Sequence, residues 1–342
     1  MAGGLDYRHG RIELWHGSGG RAMAQLIEEL FETSFDNPFL ARRNDQACFE
    51  VGAGRLVMTT DGFVIAPLFF PGGDIGCLAV HGTINDIAMA GARPLYLAVA
   101  MIIEEGFPLA DLKAIVASMA AAAKAAGVAI VTGDTKVVER GKGDGIFITT
   151  TGVGVVPVGV EISAERARPG DAVLLSGSIG DHGVAVLSKR ESLAFETELL
   201  SDCASLHDLV ARMVEAVPGI HAMRDPTRGG LAALLNEIAQ QSGVGIALNE
   251  DAIPVAAAVR GACELLGLDP LYVANEGKLV AFCAAEDADR LLSVMRAHPL
   301  GRDAARIGTV VEDSRHFVQM QTSFGGHRIV DWLAGDQLPR IC

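Results

Sequence analysis

The chain reads as an α/β (α+β) protein of two domains that ends in a short flexible tail. Three observations lead there. Strand-like and helix-like segments alternate along its length, one polar stretch interrupts them near the middle, and the last residues can neither continue a helix nor pack extensively. With 342 residues, about two domains are expected at roughly 150 residues each. Half of the residues are apolar and 20% are charged, which excludes a disordered chain and supplies material for sizeable cores.

A short strand from Ile12 to Trp15 precedes a helix from Arg21 to Glu32, where Met23, Ile27, Leu30 and Phe31 share one face. Strands are expected over Arg55 to Thr60, Leu95 to Ile103, Val128 to Thr132 and Ile146 to Val156, each rich in β-branched or aliphatic residues and bounded by Gly, Asp or Pro. Helices are expected over Ile75 to Ala90 and Pro108 to Ala126. Strand character ends at Val156, and the polar stretch EISAERARPGD precedes a new apolar strand, Ala172 to Ser176. The domains are therefore residues 1–160 and 161–334, followed by a tail, 335–342. The second domain carries helices over Leu206 to Ala216, Gly230 to Gln241, Val255 to Leu266 and Glu286 to His298, and a strand over Leu279 to Cys283. Acidic residues crowd the first turn of the last helix, as the helix dipole favours. In the tail, Pro339 opposes helix. A run of eight extended residues spans about 26 Å, enough for the tail to swing into a site on the body.

Charge and composition narrow the function. The net charge of −14 repels phosphate backbones and argues against nucleic-acid binding, though not against a nucleotide held through metal ions. Glycine is in excess, 40 residues of 342, against a typical share of about 7%. The N-terminus has no apolar signal core, and the most apolar long stretch, Ala114 to Val131, contains Lys124 and Gly127. No membrane span is expected. The six cysteines show no C-x-x-C spacing, which speaks against a zinc knuckle and for a reduced, cytoplasmic protein.

Five aspartates stand in similar settings. Asp61 lies in TTDG after the strand RLVM, Asp134 in TGDTK after VAIV, and Asp45 in NDQA before a short apolar run. Asp86 lies in NDIAM on a helix, and Asp225 in RDPTRGG just before one. Strand ends are where α/β folds gather ligands. Carboxylates gathered there repel one another unless a cation sits among them, and oxygen-only ligation suits Mg²⁺ bridging phosphates. Each aspartate alone would serve equally as a helix cap or turn residue; together they point to a metal–phosphate site. HGSGGR, with Gly17, Ser18, Gly19 and Gly20, feeds a helix N-terminus, where free N–H groups can hold phosphate. PTRGG offers Thr227 as a hydroxyl and Arg228 as a charge, and FFPGGDIG is a third such loop. None is a complete phosphate-loop or dinucleotide motif, so a tight turn reads equally well.

Three residues remain. Lys136 lies two positions after Asp134, so on an extended chain the two share a face. It could neutralise a transferring phosphoryl group or simply be solvated. Glu276, in ANEGK between apolar YVA and a strand, is either a turn residue or a desolvated carboxyl whose pKa rises towards that of a working base. Cys342 is the final residue; a thiol on a tail suits carrying a group better than activated catalysis, and a cysteine there by chance reads about equally well. His16, His81 and His182 have no H-x-x-x-H partner and read as structural hydrogen-bonding residues.

The segments HGSGGRAM, TTDG, FFPGGDIG, NDIAM, EEGFP, VTGDTKVV, GDHG, SDCA, MRDPTRGG, GACELLGLDPLYVANEGK and LPRIC run in this order over essentially the whole chain. They resemble the HypE family of nickel–iron hydrogenase maturation factors, which are carbamoyl dehydratases. The glycine loops and aspartates alone resemble the broader aminoimidazole ribonucleotide synthetase superfamily, which includes selenophosphate synthetase and thiamine monophosphate kinase. The resemblance implies a two-domain aminoimidazole ribonucleotide synthetase-like fold with a flexible C-terminal tail, a homodimer formed through the N-terminal domains, and ATP bound with Mg²⁺. It implies that a HypF-type carbamoyltransferase loads a carbamoyl group onto Cys342, that ATP drives its dehydration to an S-cyano group, and that this group passes as cyanide to iron on a HypC–HypD scaffold. By the same resemblance Cys342, Lys136 and Glu276 are catalytic. Gly17, Ser18, Gly19, Gly20, Asp61, Asp134 and Thr227 bind nucleotide, and Asp45, Asp61, Asp86, Asp134 and Asp225 hold the metal. Gly62 stands where relatives often carry serine, which removes a hydroxyl beside Asp61. Two other readings compete: a selenophosphate synthetase-like or kinase-like phosphotransferase, and a non-catalytic thiol carrier. HGSGG carries no reactive cysteine, which counts against the selenium chemistry.

Overall fold

Alternating apolar residues build a first sheet that, among the described residues, is covered on one face only. The computed structural model describes residues 20–26, 28–29, 47–51, 54–191, 199–333, 335 and 340–342. Its strands are β1 (Ala47–Val51), β2 (Gly54–Phe63), β5 (Arg93–Glu104), β6 (Ala129–Val138) and β7 (Ile146–Val156), in the order β1-β2-β7-β5-β6. Only β5 and β6 run parallel. The inward set includes Val57, Phe63, Leu97, Val99, Ile146 and Ile148, all buried. The expected strands are present, but three run longer than the apolar runs suggest. β6 continues through Asp134 and Lys136, because pairing with β5 carries the extended backbone past the apolar residues.

Between β2 and β5, FFPGGDIG folds as a hairpin of β3 (Phe69–Phe70) and β4 (Gly73–Asp74). Asp74 then caps the next helix, accepting from the amides of Gly76 and Cys77 at 2.7 and 3.1 Å, the geometry that satisfies a helix's first free N–H groups. That helix, α2 (Ile75–Met89), follows α1 (Arg21–Leu26) in chain order and is buried on nearly every side. It packs against β2 and β7, against α3 (Leu109–Ala126) and against the C-terminal half. Close approach to β7 is possible because Gly152 and Gly154 present no side chain; a Cβ on either would lie 2.5 Å from Ile87.

The second half is a seven-stranded sheet covered on both faces. Its strands are β8 (Ala172–Leu175), β9 (Ala222–Arg224), β10 (Gly245–Asn249), β11 (Val280–Cys283), β12 (Ala305–Val311), β13 (Val318–Gln321) and β14 (His327–Ile329), in the order β14-β13-β10-β12-β8-β11-β9. The helices are α4 (Asp181–Arg190), α5 (His207–Ala216), α6 (Gly230–Ser242), α7 (Ala257–Leu266) and α8 (Ala288–Ala297). Two neighbouring interior strands, AVLL of β8 and VAFC of β11, are buried throughout. Ala172 and Leu174 face α5 and α8, and Val173 and Leu175 face α6, the period-two alternation of a sheet between helix layers. The acidic start expected of the last helix is a short 3₁₀ turn, Ala285–Asp287, which leads into α8. The strand at 12–15 and most of the helix expected beyond Leu26 lie outside the described residues. No helix among the described residues is long and apolar enough to cross a membrane.

The α2–β7 contact gives the first prediction. Gly154→Val would place its Cβ 2.5 Å from Ile87 and 2.8 Å from the Arg93 carbonyl. It should destabilise the protein by about 1–3 kcal/mol through overpacking. Gly62→Ala, whose Cβ meets only Thr149 at 3.9 Å, should stay within about 0.5 kcal/mol. Urea midpoints of the two variants test the difference.

Candidate active site

Glycine sets the first loop of the site. In ANEGK, Gly277 turns beneath Asp202, where a Cβ would lie 1.8 Å from the Asp202 carbonyl oxygen. The Asp202 carboxylate accepts from the amides of Glu276 and Gly277 at 3.0 and 3.2 Å and from Lys278 at 3.0 Å. Asn85 on α2 donates to the Glu276 carbonyl at 3.0 Å. Asn275 ties the same segment to Pro226 and to the amide of Gly180, at 2.9 and 2.7 Å. Glu276 is therefore held rigidly and is 3% exposed. Its Oε1 has no hydrogen-bond partner among the described residues. Burial raises its pKa well above the carboxylate range; Asp202, Asp225 and Asp61 add to the rise, and Arg228 opposes it.

Arg228 enters from PTRGG. Gly229 and Gly230 both take left-handed backbone angles, and Gly230 lies where a Cβ would meet the carbonyls of Leu271 and Val273 at 2.6 and 2.7 Å. Only glycine fits that turn. It delivers Thr227 and Arg228 to a cavity of about 260 Å³ that Asp61, Asp86, Asp225, Glu276 and Cys342 also line. Asp86 accepts a hydrogen bond from Thr59 at 2.9 Å.

Cys342 lies inside this cavity, because the chain end is seated along residues 64–66. The Val64 amide donates to a terminal carboxylate oxygen of Cys342 at 3.0 Å, and the Ala66 amide to the Arg340 carbonyl at 3.1 Å. Arg190 donates to the carbonyls of Ala66 and Arg340, at 2.6 and 2.9 Å through Nη2. Arg340 pairs with Asp144, and Ile341 is buried in the core cluster beneath the first sheet. Burial pushes the Cys342 thiol up to about 12, against the pull of Arg228.

The structure does not bring every candidate together. Asp61 does not follow its strand but lies within β2 opposite Thr150, and Asp134 lies within β6 opposite Ala100. Successive side chains point to opposite faces. Asp61 therefore falls on the α2 face with Thr59, and Asp134 and Lys136 on the outer face with Ala100 and Ile102. Lys136 pairs with Asp134 at 2.7 Å, both side chains more than half exposed, and neither lines the cavity. Gly17, Ser18, Gly19 and Asp45 lie outside the described residues; Gly20 is buried against the Leu333 carbonyl. Asp202, which holds the Glu276 loop, was not among the candidate residues. Its only signal is a lone acid in SDCA, 74 positions from its partner. Among the described residues no three His, Cys, Asp or Glu side chains converge to hold a cation by themselves. The carboxylates of Asp61, Asp86 and Asp225 fit a magnesium ion held chiefly through phosphates and water.

The cavity thus combines a thiol, the buried Glu276 carboxyl, Arg228 and the carboxylates of Asp61, Asp86 and Asp225, with the Arg224–Glu237 ion pair also in its wall, a set suited to proton removal from a group on sulfur beside a phosphate. The N-terminal domain family of AIR synthase related proteins matches residues 43–156, and the C-terminal domain family matches 168–321. Carbamoyl dehydratase HypE of Cupriavidus necator is 70% identical over 339 residues, 99% of this chain and 97% of that protein. A crystal structure of a HypE–HypF complex matches with a TM-score of 0.86 at 50% identity, covering 90% of this chain and 99% of that one. A crystal structure of HypE in complex with ATP matches with a TM-score of 0.83 at 52% identity, covering 97% and 100%.

The environment of Glu276 makes a pH prediction. A carboxyl whose pKa is raised on folding binds more protons folded than unfolded, so its contribution to stability falls as pH rises above its ordinary value near 4.5. In protein free of nucleotide and metal, Glu276→Gln should melt higher than the parent, and its advantage should grow from pH 4.5 towards neutrality. At about 2–4 °C per kcal/mol for domains of this size, scanning calorimetry resolves the trend. An advantage that shrinks over this range would contradict the buried, charge-crowded setting.

Proposed function

The chain belongs to the HypE family of carbamoyl dehydratases, and on that premise we propose that the cavity around Cys342 dehydrates a carbamoyl group carried on the Cys342 thiol. The protein acts in hydrogenase maturation and is an ATP-dependent dehydratase. The observation that carries the residue-level reading is that the terminal thiol and the buried Glu276 carboxyl line one cavity.

The chemistry accounts for the residues. An amide oxygen is a poor leaving group until it is phosphorylated. Loss of phosphate, together with two N–H protons, then leaves S–C≡N. Glu276 takes an N–H proton at Oε1; a buried carboxylate is a strong base because neutralisation relieves its desolvation. Arg228 faces the sulfur and the carbamoyl group and offsets the carboxylates around them. Asp61, Asp86 and Asp225, with Thr227 and the loop Gly17 to Gly20, address the phosphates. Magnesium bound there would supply charge neutralisation for the phosphoryl group; Asp45 and Asp134 complete the acidic set.

Cys342 is loaded by a HypF-type carbamoyltransferase, a pairing supported by the HypE–HypF structure at 50% identity. The cyano group is delivered as cyanide to iron on a HypC–HypD scaffold. The working form is a homodimer joined through the outer face of the first sheet, where Met58, Tyr96 and Ile102 are 45, 51 and 44% exposed. Asp134 and Lys136 lie on that same face, so their nucleotide and catalytic roles depend on the second copy. The compartment is the cytoplasm, where a free terminal thiol stays reduced.

Mass spectrometry of the C-terminal peptide tests the reading. With carbamoyltransferase, carbamoyl phosphate and ATP, Cys342 should gain a carbamoyl group and then lose one water. A peptide that is loaded but never loses water sinks the dehydratase reading. Glu276→Gln should bind ATP within about twofold of the parent yet lose dehydration by about 10²-fold or more, the usual scale for removing a general base. Separately, Ile102→Glu should convert a dimer to a monomer in sedimentation velocity; an unchanged dimer would move the interface elsewhere.

A further inference from the structure

His182 makes two hydrogen bonds that the dehydration chemistry does not use. It is fully buried at the first turn of α4, edge-on to Phe70 at 5.4 Å. Its Nε2 lies 2.8 Å from the Ile341 carbonyl oxygen, and its Nδ1 2.8 Å from the Ser201 hydroxyl. A carbonyl can only accept, so Nε2 carries the proton and donates. In the neutral ring, Nδ1 then accepts from Ser201. Burial lowers the His182 pKa, which favours that neutral form.

Each side of the ring leads to one half of the reaction. Ile341 is the residue before the substrate-bearing Cys342. Ser201 is the residue before Asp202, whose carboxylate holds the amides of Glu276 and Gly277. The Ser201 hydroxyl also accepts from the Cys203 amide at 3.1 Å, which fixes the loop around Asp202. The first turn of α4 is bolted to the same segment, since Gly180 donates to Asn275 at 2.7 Å and Gly183 to the Ala274 carbonyl at 3.1 Å. One imidazole therefore bridges the tail and the loop that carries the base.

Resting on the dehydratase reading, we propose that His182 is a positioning residue for the tethered substrate: its Nε2–H seats the Ile341 carbonyl so that the Cys342 side chain is held against Glu276. It touches neither the carbamoyl group nor the nucleotide. Without it, the Ile341 carbonyl would be buried without its donor, and the tail would leave the groove more often.

The test reads the seat directly on the full-length protein. Cys342 is labelled with a maleimide, without ATP or partner proteins, and the rate is followed by peptide mass spectrometry. Buried Cys283 serves as the control for folding. His182→Phe keeps a flat ring without a donor and should label Cys342 about tenfold faster, the equivalent of 1.4 kcal/mol, with Cys283 still protected. His182→Gln keeps a donor near the Nε2 position and should stay within about threefold of the parent. In the complete system, His182→Phe should accept carbamoyl normally and dehydrate about tenfold more slowly. Parent-like labelling of Cys342 in His182→Phe, with Cys283 protected, overturns the proposal. Should that variant expose Cys283, His182→Asn decides: it is polar but too short to reach Ile341, and parent-like labelling there overturns the proposal equally. Labelling needs no carbamoyl group, so a parent protein that is loaded and never dehydrates would remove the dehydratase reading while leaving the tail seat measured.

Discussion

Main-chain hydrogen bonds from Val64 and Ala66 to the last three residues bring a chain terminus to the one cavity where its thiol meets a buried carboxyl. Because they read backbone, they hold an extended terminus whatever stands on sulfur. Side-chain contacts set the register: Ile341 is buried, and Arg190 bonds both the tail and the segment after β2 that it lies along.

The acidic character of the protein concentrates around that seat. Asp61, Asp86, Asp225 and Glu276 share a cavity with Arg228. The cost of gathering them shows in Glu276, whose pKa is raised by burial and by neighbouring negative charge together. Rigid loops make this crowding possible. Gly277 and Gly230 lie where any side chain would strike backbone, and Asp202 and Asn275 fasten the segments between them. Much of the glycine excess thus serves close approach of backbone around charged groups, not flexibility.

The first half and two strands of the second sheet, β8 and β11, were legible in the sequence because their signals are local; β9, β10, β12, β13, β14 and α4 were not marked. Apolar runs bounded by Gly, Asp and Pro marked β2, β5, β6 and β7, and the helix ends fell within a few residues of Ile75–Met89 and Leu109–Ala126. What local signals could not give was the side of the sheet. TTDG and TGDTK look alike, yet Asp61 faces α2 and Asp134 faces outwards, because strand pairing decides where each strand ends and which parity faces the helices. Asp202 was invisible for a related reason: its partners lie 74 to 76 positions away. His182 read as a structural histidine, and its geometry is that of a hydrogen-bonded core residue; the second partner, Ile341, lies 159 positions on. The terminal cysteine carried the most information, yet nothing local to LPRIC fixes where it docks.

Inside the cavity the thiol is held neutral, its pKa pushed up to about 12 by burial. A neutral thiol is a poor nucleophile, so the seated tail is suited to dehydration and not to loading. The same neutrality serves the later steps. A thiol, a thiocarboxamide and a thiocyanate on Cys342 all carry no charge, so replacing one by the next leaves the balance among Arg228, Glu276 and the aspartates unchanged at the sulfur. The site need not rearrange its charges to accept a loaded tail or to hold the product. Had the cavity stabilised a thiolate, loading would remove a negative charge beside Arg228 and shift the proton affinity of Glu276 between steps. On the proposed reading, a neutral carrier keeps the proton affinity of Glu276 independent of the group on sulfur.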